Sequence, residues 1–444
     1  MKIQRFTRFI TKPMLDRRRG RLLALLLALA TLLTLNLTTA QAQSGDSITS
    51  PDTTGNVGWV PAMALDSNGY PVVSYYDLSN DTLKLLHCND ANCAGGDESI
   101  TSPATAIVPS TGFGIEKAID LALDSNGYPV ISYVDAPAGL ESTELKLMHC
   151  NDANCSGGDE SITTLATDPY VIITSLALDG NGYPVISYAP FDPISNGTTL
   201  NVLHCNDANC TGDDESIASP DTIGNFEGGY SSLALDSNGY PVVSYLDATN
   251  KDLKVLHCND ANCVGDDESI TSPDTGGDVG AFNSLALDSN GYPVVSYYDA
   301  TNVDLKVLHC NDANCAGDDE SITSPDTGGN VGYYTSLALD SNDYPVVSYY
   351  DATNKDLKVL RCNDANCAGD DESITTPDPS GDNASFNNSL TLDSNGYPVV
   401  SYYDGTNLDL KLLHCNDANC TNAAPIAVND AYTTEPDTPL TIAA

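Results

Sequence analysis

One hexapeptide, Cys-Asn-Asp-Ala-Asn-Cys, occurs seven times in this chain and holds all 14 of its cysteines. The pairs are Cys88/Cys93, Cys150/Cys155, Cys205/Cys210, Cys258/Cys263, Cys310/Cys315, Cys362/Cys367 and Cys415/Cys420. Successive first cysteines lie 62, 55, 53, 52, 52 and 53 residues apart. Self-similarity at a fixed period of this size marks a solenoid, a propeller or another array, and it restricts the fold more tightly than local propensity does.

Residues 266–315 represent the unit. It holds short apolar segments at 269–271, 284–288, 294–299 and 305–310, rich in Val, Leu, Tyr and Ser, with nothing at helical spacing. None is long enough for a typical helix, and each of the last three reads as a strand. Between the second and third lies Asp288-Ser289-Asn290-Gly291-Tyr292-Pro293. Asn-Gly favours the positive φ angles of a tight hairpin, and Pro293 sits at a strand entrance, where its missing N–H costs least. The unit is therefore a four-stranded antiparallel meander. Alternation leaves both of its faces partly apolar, so neighbouring copies must cover them, and radial closure does this without apolar ends.

The expected fold is all-β: a seven-bladed β-propeller of four-stranded antiparallel blades. The phase of the repeat adds a closure device. Asp46-Ser47-Ile48-Thr49-Ser50-Pro51 opens the array, and no such segment follows Cys420. With the Leu-Ala-Leu-Asp strand innermost, residues 46–51 supply the missing outer strand of the seventh blade. Units two and three depart most, through the lead-in 104–119 and the loops 135–143 and 189–199. In unit six Asp343 replaces the turn glycine and Arg361 replaces the histidine before the cysteine.

The ends read differently. Residues 1–42 have the form of a secretory signal: Lys12, Arg17, Arg18, Arg19 and Arg21, then an apolar run over 22–37, then Ala40-Gln41-Ala42 as a cleavage site. The run is short for a membrane span, and no second one follows. An uncleaved anchor is the alternative. The whole chain carries a formal charge of −43, and the segment 1–42 holds eight of its 18 basic residues but one acid. A surface so acidic repels nucleic acid and anionic lipid, both of which require Lys and Arg. Strictly paired cysteines in an exported chain read as structural disulfides.

The units, which run through residues 46–420, resemble the LDSNG-x-P-V-x-S-Y-Y-D…LK-x-LHC-x-D-x-NC repeats of secreted bacterial proteins. That resemblance implies a secreted or cell-surface location and carries no catalytic residues to transfer. Residues 424–444 lose the repeat and resemble the opening of cadherin-like or bacterial immunoglobulin-like modules. Pro425, Ala427, Asn429, Asp430, Tyr432, Thr434, Thr438, Pro439 and Leu440 fit, and Pro436 is inserted between the acids. The match spans two strands at most, a truncated or vestigial module. The expected organisation is a signal at 1–42, the propeller at 43–423 and this segment at 424–444.

Candidate chemistry is sparse. His87, His149, His204, His257, His309 and His414 each precede a cysteine, but one unit offers at most three metal ligands, and Arg361 shows that the imidazole is dispensable. Asp-Asp-Glu at 213–215, 266–268, 318–320 and 370–372 has oxygen ligands for Ca²⁺ without a full calcium loop; a solvated acidic rim is the plainer reading. Tyr75-Tyr76, Tyr297-Tyr298, Tyr349-Tyr350 and Tyr402-Tyr403 are expected mostly between blades, with sugar stacking as the alternative. Catalysis needs unlike groups brought together, and near-identical copies repeat the same groups.

The leading expectation is a non-catalytic extracellular interaction or adhesion scaffold with no cofactor and a protein or glycan partner. The alternatives are a lectin-like propeller, and a propeller hydrolase or lyase that uses Glu116 and Glu141 in the insertions.

Overall fold

Each hairpin starts from an aspartate. In unit five, Asp288 Oδ1 accepts the N–H groups of Asn290 and Tyr292, both at 2.8 Å, and Gly291 takes a φ of 82°. This turn joins the inner strand Val279–Leu287 to the second strand Pro293–Asp299 in the register Leu287↔Pro293 and Ser284↔Ser296. Asp299 makes the next turn, accepting the N–H groups of Thr301 and Asn302, and the third strand Asp304–His309 follows. The hexapeptide then reverses the chain into the outer strand Ser321–Asp326.

The expected disulfides are present. Cys88–Cys93, Cys150–Cys155, Cys205–Cys210, Cys258–Cys263, Cys310–Cys315, Cys362–Cys367 and Cys415–Cys420 are bridged, with Cα atoms 4.9–5.0 Å apart. Cys155 and Cys210 are bridged as expected, and like the other cysteines they are buried. Both are also core residues, 2% and 1% exposed, packed with Cys150 and Cys205 in the apolar cluster shared by the first three blades. The spacing did not announce their backbone. Both take a φ of 47°, as the second cysteine of every pair takes a positive φ. That turn lets the N–H of Cys155 reach the carbonyl of Asp152, and that of Cys210 the carbonyl of Asp207, both at 3.3 Å.

The structure, a computed structural model, describes residues 45–421 apart from 107–116, 137–141, 169–170, 193–196, 225–229, 380–383 and the single positions 213, 266, 318 and 370. The proposed export signal and the cadherin-like segment fall outside the described residues, as do Glu116 and Glu141. Seven four-stranded antiparallel sheets form the propeller expected from the repeat. Blades one to six span 57–105, 119–168, 171–224, 231–274, 279–326 and 331–378. The seventh combines Ala384–Leu392, Pro398–Asp404 and Asp409–His414 with Ser47–Asp52 from the start of the array, in the register Ser47↔His414 and Ile48↔Leu413. Among the described residues no helix is long and apolar enough to cross a membrane.

The core lies between blades. Val242, Leu253 and Val255 of blade four pack on Val279, Leu285, Val295 and Leu308 of blade five, all at least nine-tenths buried. Fully burying such side chains contributes about 1.5–3 kcal/mol each. Three polar devices then fix neighbouring blades.

The first is an ionic clip. Tyr297 Oη donates to Asp274 of the preceding blade at 2.7 Å, and Lys306 Nζ reaches the same carboxylate at 2.8 Å and its own blade's Asp299 at 3.3 Å. The same clip joins blades three to four through Asp221, five to six through Asp326, and six to seven through Asp378. It also joins seven to one, where Asp52 of the N-terminal strand takes Tyr75 and Lys84. Ala104 and Ala166 occupy the clip position in blades one and two, so the next two joints lack it.

The second device is the histidine. His309 Nε2 faces Asp288 of its own blade at 3.3 Å, and Nδ1 faces Asn366 in the next blade's hexapeptide at 2.9 Å. Arg361 makes the same bridge, from Asp340 to the carbonyls of Gly396 and Ala418. These imidazoles are inter-blade braces, and the cysteine loops are the straps they grip.

Candidate functional site: the axial cavity

The third device rings the axis. The residue before each Leu-Ala-Leu-Asp strand is Ser175, Ser232, Ser284, Ser336 or Ser389 in five blades, and its hydroxyl accepts an N–H from the next blade's inner strand. Leu233 donates to Ser175, Leu285 to Ser232, Leu337 to Ser284, Leu390 to Ser336 and Met63 to Ser389, at 3.0–3.2 Å. Blade one has Ala62 at this place, which has no oxygen to accept from Leu121. Blade two has Asp120, which repairs the gap. Its Oδ1 takes the N–H of Leu121 at 2.8 Å, and its Oδ2 takes those of Leu176 at 2.7 Å and the Ser175 hydroxyl at 3.2 Å.

A neighbouring row shows a second break. The serine of each second strand bonds the polar residue one step earlier on the next inner strand: Ser132 with Thr174, Ser187 with Ser231, Ser244 with Asn283, Ser296 with Thr335 and Ser348 with Asn388. The partners of Ser74 and Ser401 would be Ile119 and Pro61, and both hydroxyls are buried without a partner. The seven-fold pattern therefore fails around blade one and at the start of blade two.

Into this broken region projects Lys117. Its carbonyl accepts from Thr174 N at 2.9 Å, which fixes it beside blade three, and its Nζ donates to the carbonyl of Asn283 in blade five. Lys117 and Asp120 keep some surface on the axial cavity but are otherwise surrounded by protein. Burial strips water from the Lys117 ammonium and lowers its pKa to about 8, against the opposing pull of Asp120. Burial also raises the Asp120 carboxyl, although the N–H groups of Leu176 and Leu121 and the charge of Lys117 oppose the shift.

The cavity has a volume of about 180 Å³ and is lined mainly by polar groups, among them Thr335, Asn387, Asn388 and Ser389. Asn387 is 4% exposed, and its Oδ1 accepts nothing from the protein. Asn388 is satisfied, donating to the Tyr334 carbonyl at 2.7 Å. A second hollow of about 240 Å³ lies by the outer strands of blades two and three, where Cys210 forms part of the wall. Glu215 is its sole acid or base and already accepts from Asn206 N.

The residues singled out from sequence serve the scaffold. Tyr75, Tyr297, Tyr349 and Tyr402 are fully buried in the clips. Their neighbours Tyr298 and Tyr403 bond Asn330 and Asn56 of the next blade, and Tyr76 bonds the carbonyls of Ala118 and Val134. Glu215, Glu268, Glu320 and Glu372 each accept the N–H that follows the first cysteine of their hexapeptide; the first Asp of each Asp-Asp-Glu lies outside the described residues. Glu98, Glu268, Glu320 and Glu372 also stand beside their blade's cysteine sulfurs, but a disulfide has no thiolate to give a metal. The pairs Cys150–Cys155, Cys205–Cys210 and Cys415–Cys420 join no such cluster among the described residues.

No family model matches the chain, and no curated protein matches it. Several solved structures are similar to it at a low level. An α-L-arabinanase of Penicillium chrysogenum, solved with arabinobiose, is 14% identical over 75% of this chain and 97% of its own, with a TM-score of 0.45. An α-L-arabinofuranosidase of Fusarium graminearum, solved with an iminosugar inhibitor, is 10% identical over 84% and 96%, at 0.46. A polysaccharide lyase is 9% identical over 86% and 94%, at 0.48. Likeness at this level carries no argument about what this chain does.

The expectation of a non-catalytic adhesion scaffold, and of no enzyme, is corrected here. The premise behind that expectation, that seven near-copies bring no unlike groups together, fails at Lys117 and Asp120. The signal was present in the repeat itself: aligned unit against unit, position 120 is the one acid in a column of serines and one alanine.

Proposed function

We propose that this chain is an extracellular, glycan-directed propeller enzyme of the lyase type, with its reaction centre in the axial cavity. The observation that carries the reading is a mostly enclosed amine whose pKa is lowered to about 8, within the charge field of a mostly enclosed carboxylate, in a polar cavity where the axial ring of serines breaks. A perturbed acid–base pair in a cleft is the usual mark of a reaction centre. Two-carboxylate hydrolysis would need a second carboxyl group, and Asp120 is the sole carboxylate among the described residues that line the cavity.

Elimination needs one base. The neutral Lys117 amine takes the proton from the carbon next to a uronate carbonyl. The electron pair of that C–H bond becomes a C=C bond as the adjacent glycosidic C–O bond breaks, and the proton passes from the resulting ammonium to the departing oxygen. Asp120 acts as a positioning residue, holding the inner strands of blades two and three and stabilising the ammonium. The seven disulfides and the signal-like start of the sequence support placement outside the cell.

The test is turnover of a panel of uronate-containing and neutral polysaccharides, read both by new reducing ends and by the ultraviolet absorbance of the unsaturated product. Unsaturated ends that vanish in Lys117→Met support the reading. Reducing ends without unsaturation would assign a hydrolase, and glycan binding without turnover would assign a lectin-like propeller; either outcome overturns it.

A further inference from the structure

Among the described residues the inner strands of five blades carry a register irregularity just before the axial ring, and in four of them it holds one non-glycine residue at positive φ. These are Val60 at 52°, Phe282 at 54°, Tyr334 at 54° and Asn387 at 50°. In these four the register shifts lie between Trp59 and Ala62, Ala281 and Ser284, Tyr333 and Ser336, and Phe386 and Asn388. Such backbone is costly for bulky side chains, about 1–3 kcal/mol each, and strain of this kind collects at binding sites. Val60 and Asn387 line the cavity itself. Phe282 and Tyr334 hold the same position in blades five and six, and the residue after Tyr334, Thr335, lines the cavity too.

These two rings anchor an aromatic arc. Phe282 lies 4.6 Å from Tyr230, 5.1 Å from Tyr333 and 4.8 Å from Tyr334, centroid to centroid. Tyr333 continues to Tyr298 at 4.2 Å. The arc therefore runs over blades four to six beside the cavity. Tyr230, Tyr333 and Tyr334 keep part of their surface exposed, unlike the buried tyrosines of the clips.

The geometry points to a sugar-stacking subsite at the mouth of the axial cavity, built by Tyr230, Phe282, Tyr333 and Tyr334, that receives a glycan whose stacked residue is uncharged. Aromatic faces take the C–H face of a sugar ring, and Asn387, which lines the cavity, carries a buried Oδ1 that no protein group satisfies. The charge of the stacked residue follows from the field of the protein: at −43 overall, a free polyuronate is repelled, whereas neutral or ester-capped residues are not. The inference rests on the axial cavity being the ligand site, but not on the chemistry of Lys117.

The test is calorimetric titration of the full chain with xylohexaose, methyl-esterified hexagalacturonate and free hexagalacturonate, at low and at high salt. The expected result is binding of at least one uncharged hexasaccharide that weakens roughly ten-fold or more in Tyr334→Ala, and weaker binding of the free acid that improves with salt. Tyr333→Ala, which leaves the bulge residue intact, keeps the test open should Tyr334→Ala fold poorly. Binding of no uncharged sugar, unchanged affinity in both folded variants, or preference for the free acid at low salt would each overturn the subsite. Stacking-dependent binding without turnover would instead defeat the lyase reading and leave the subsite standing.

Discussion

Arg361 shows what the histidine position does. Its guanidinium reaches from Asp340 in its own blade to two carbonyls of the seventh blade, and all three partners are acceptors. His87 and His149 face the same kind of set, a carboxylate on Nε2 and, on Nδ1, a backbone carbonyl at 3.0 Å. The position thus calls for a donor at each end. Arg361→Ala would leave the carboxylate of Asp340, 8% exposed, without its cation. It should lower stability by about 1–3 kcal/mol, read from the chemical-denaturation midpoint, while Arg361→His should lose less. Equal loss in both would show that side-chain packing rather than donation holds the joint.

At the scale of the element, the strand Ser47–Asp52 does two things. It completes the seventh sheet, and through Asp52 it clips that blade to Tyr75 and Lys84 of the first. The closing joint therefore has the same ionic clip as four others, whereas the two joints after blades one and two have none. Asp52→Ala should destabilise the ring by about 2–4 kcal/mol, and Asp278→Ala, which removes a pair on the exposed surface, by less than about 1 kcal/mol. A comparable small loss from both, measured by thermal melting, would mean that strand pairing alone closes the ring.

This strand and the hairpins were legible in sequence because their signals are local. Asp-Ser-Asn-Gly sets its own turn, and the Ser-Ile-Thr-Ser-Pro segment announces its phase. The bridges of Cys155 and Cys210 were legible from pairing, but their share in the core depends on which blade covers them. The clips were half legible for the same reason: Tyr297 was expected between blades, but its bond to Asp274 depends on which blade the ring places next to it. Lys117 was not legible, because it follows the irregular lead-in of unit two and meets Asn283 only through the closed ring. Asp120 stood in plain view as a departure from serine, yet its meaning depends on seven equivalent positions converging on one axis.

For the molecule as a whole, charge sets the pH window. Although burial pushes Asp66, Asp124, Asp179, Asp236, Asp288 and Asp393 up, bonds from the N–H groups of their turns hold these carboxyls below the ordinary value. Stability from such groups is complete above the unfolded carboxylate value of about 3.9 and is lost as pH falls through the lower native one. Glu98 and its equivalents act oppositely: burial raises them, so ionising them costs stability that protonation returns. Burial works against the clip lysines Lys84, Lys254, Lys306, Lys358 and Lys411 too, yet their paired aspartates raise them, and their contribution lasts until pH rises past about 10.4. The expected profile is a broad plateau with a steep fall below about pH 4, measured by denaturation midpoint against pH; a maximum in acid would contradict it.

The proposed chemistry ties this scaffold to one amine. With Lys117 as the base, only its neutral form removes the proton, so the rate of elimination should rise as pH climbs through about 8 and level off above it. The decisive measurement is that pH–rate profile for the unmodified chain, Asp120→Asn and Lys117→Met on a uronate polysaccharide it cleaves. The expected result is a rising limb near 8 in the unmodified chain, a limb displaced to lower pH in Asp120→Asn through loss of the neighbouring negative charge, and no limb in Lys117→Met. A profile unchanged in Lys117→Met would contradict the assignment of the axial cavity as the reaction centre.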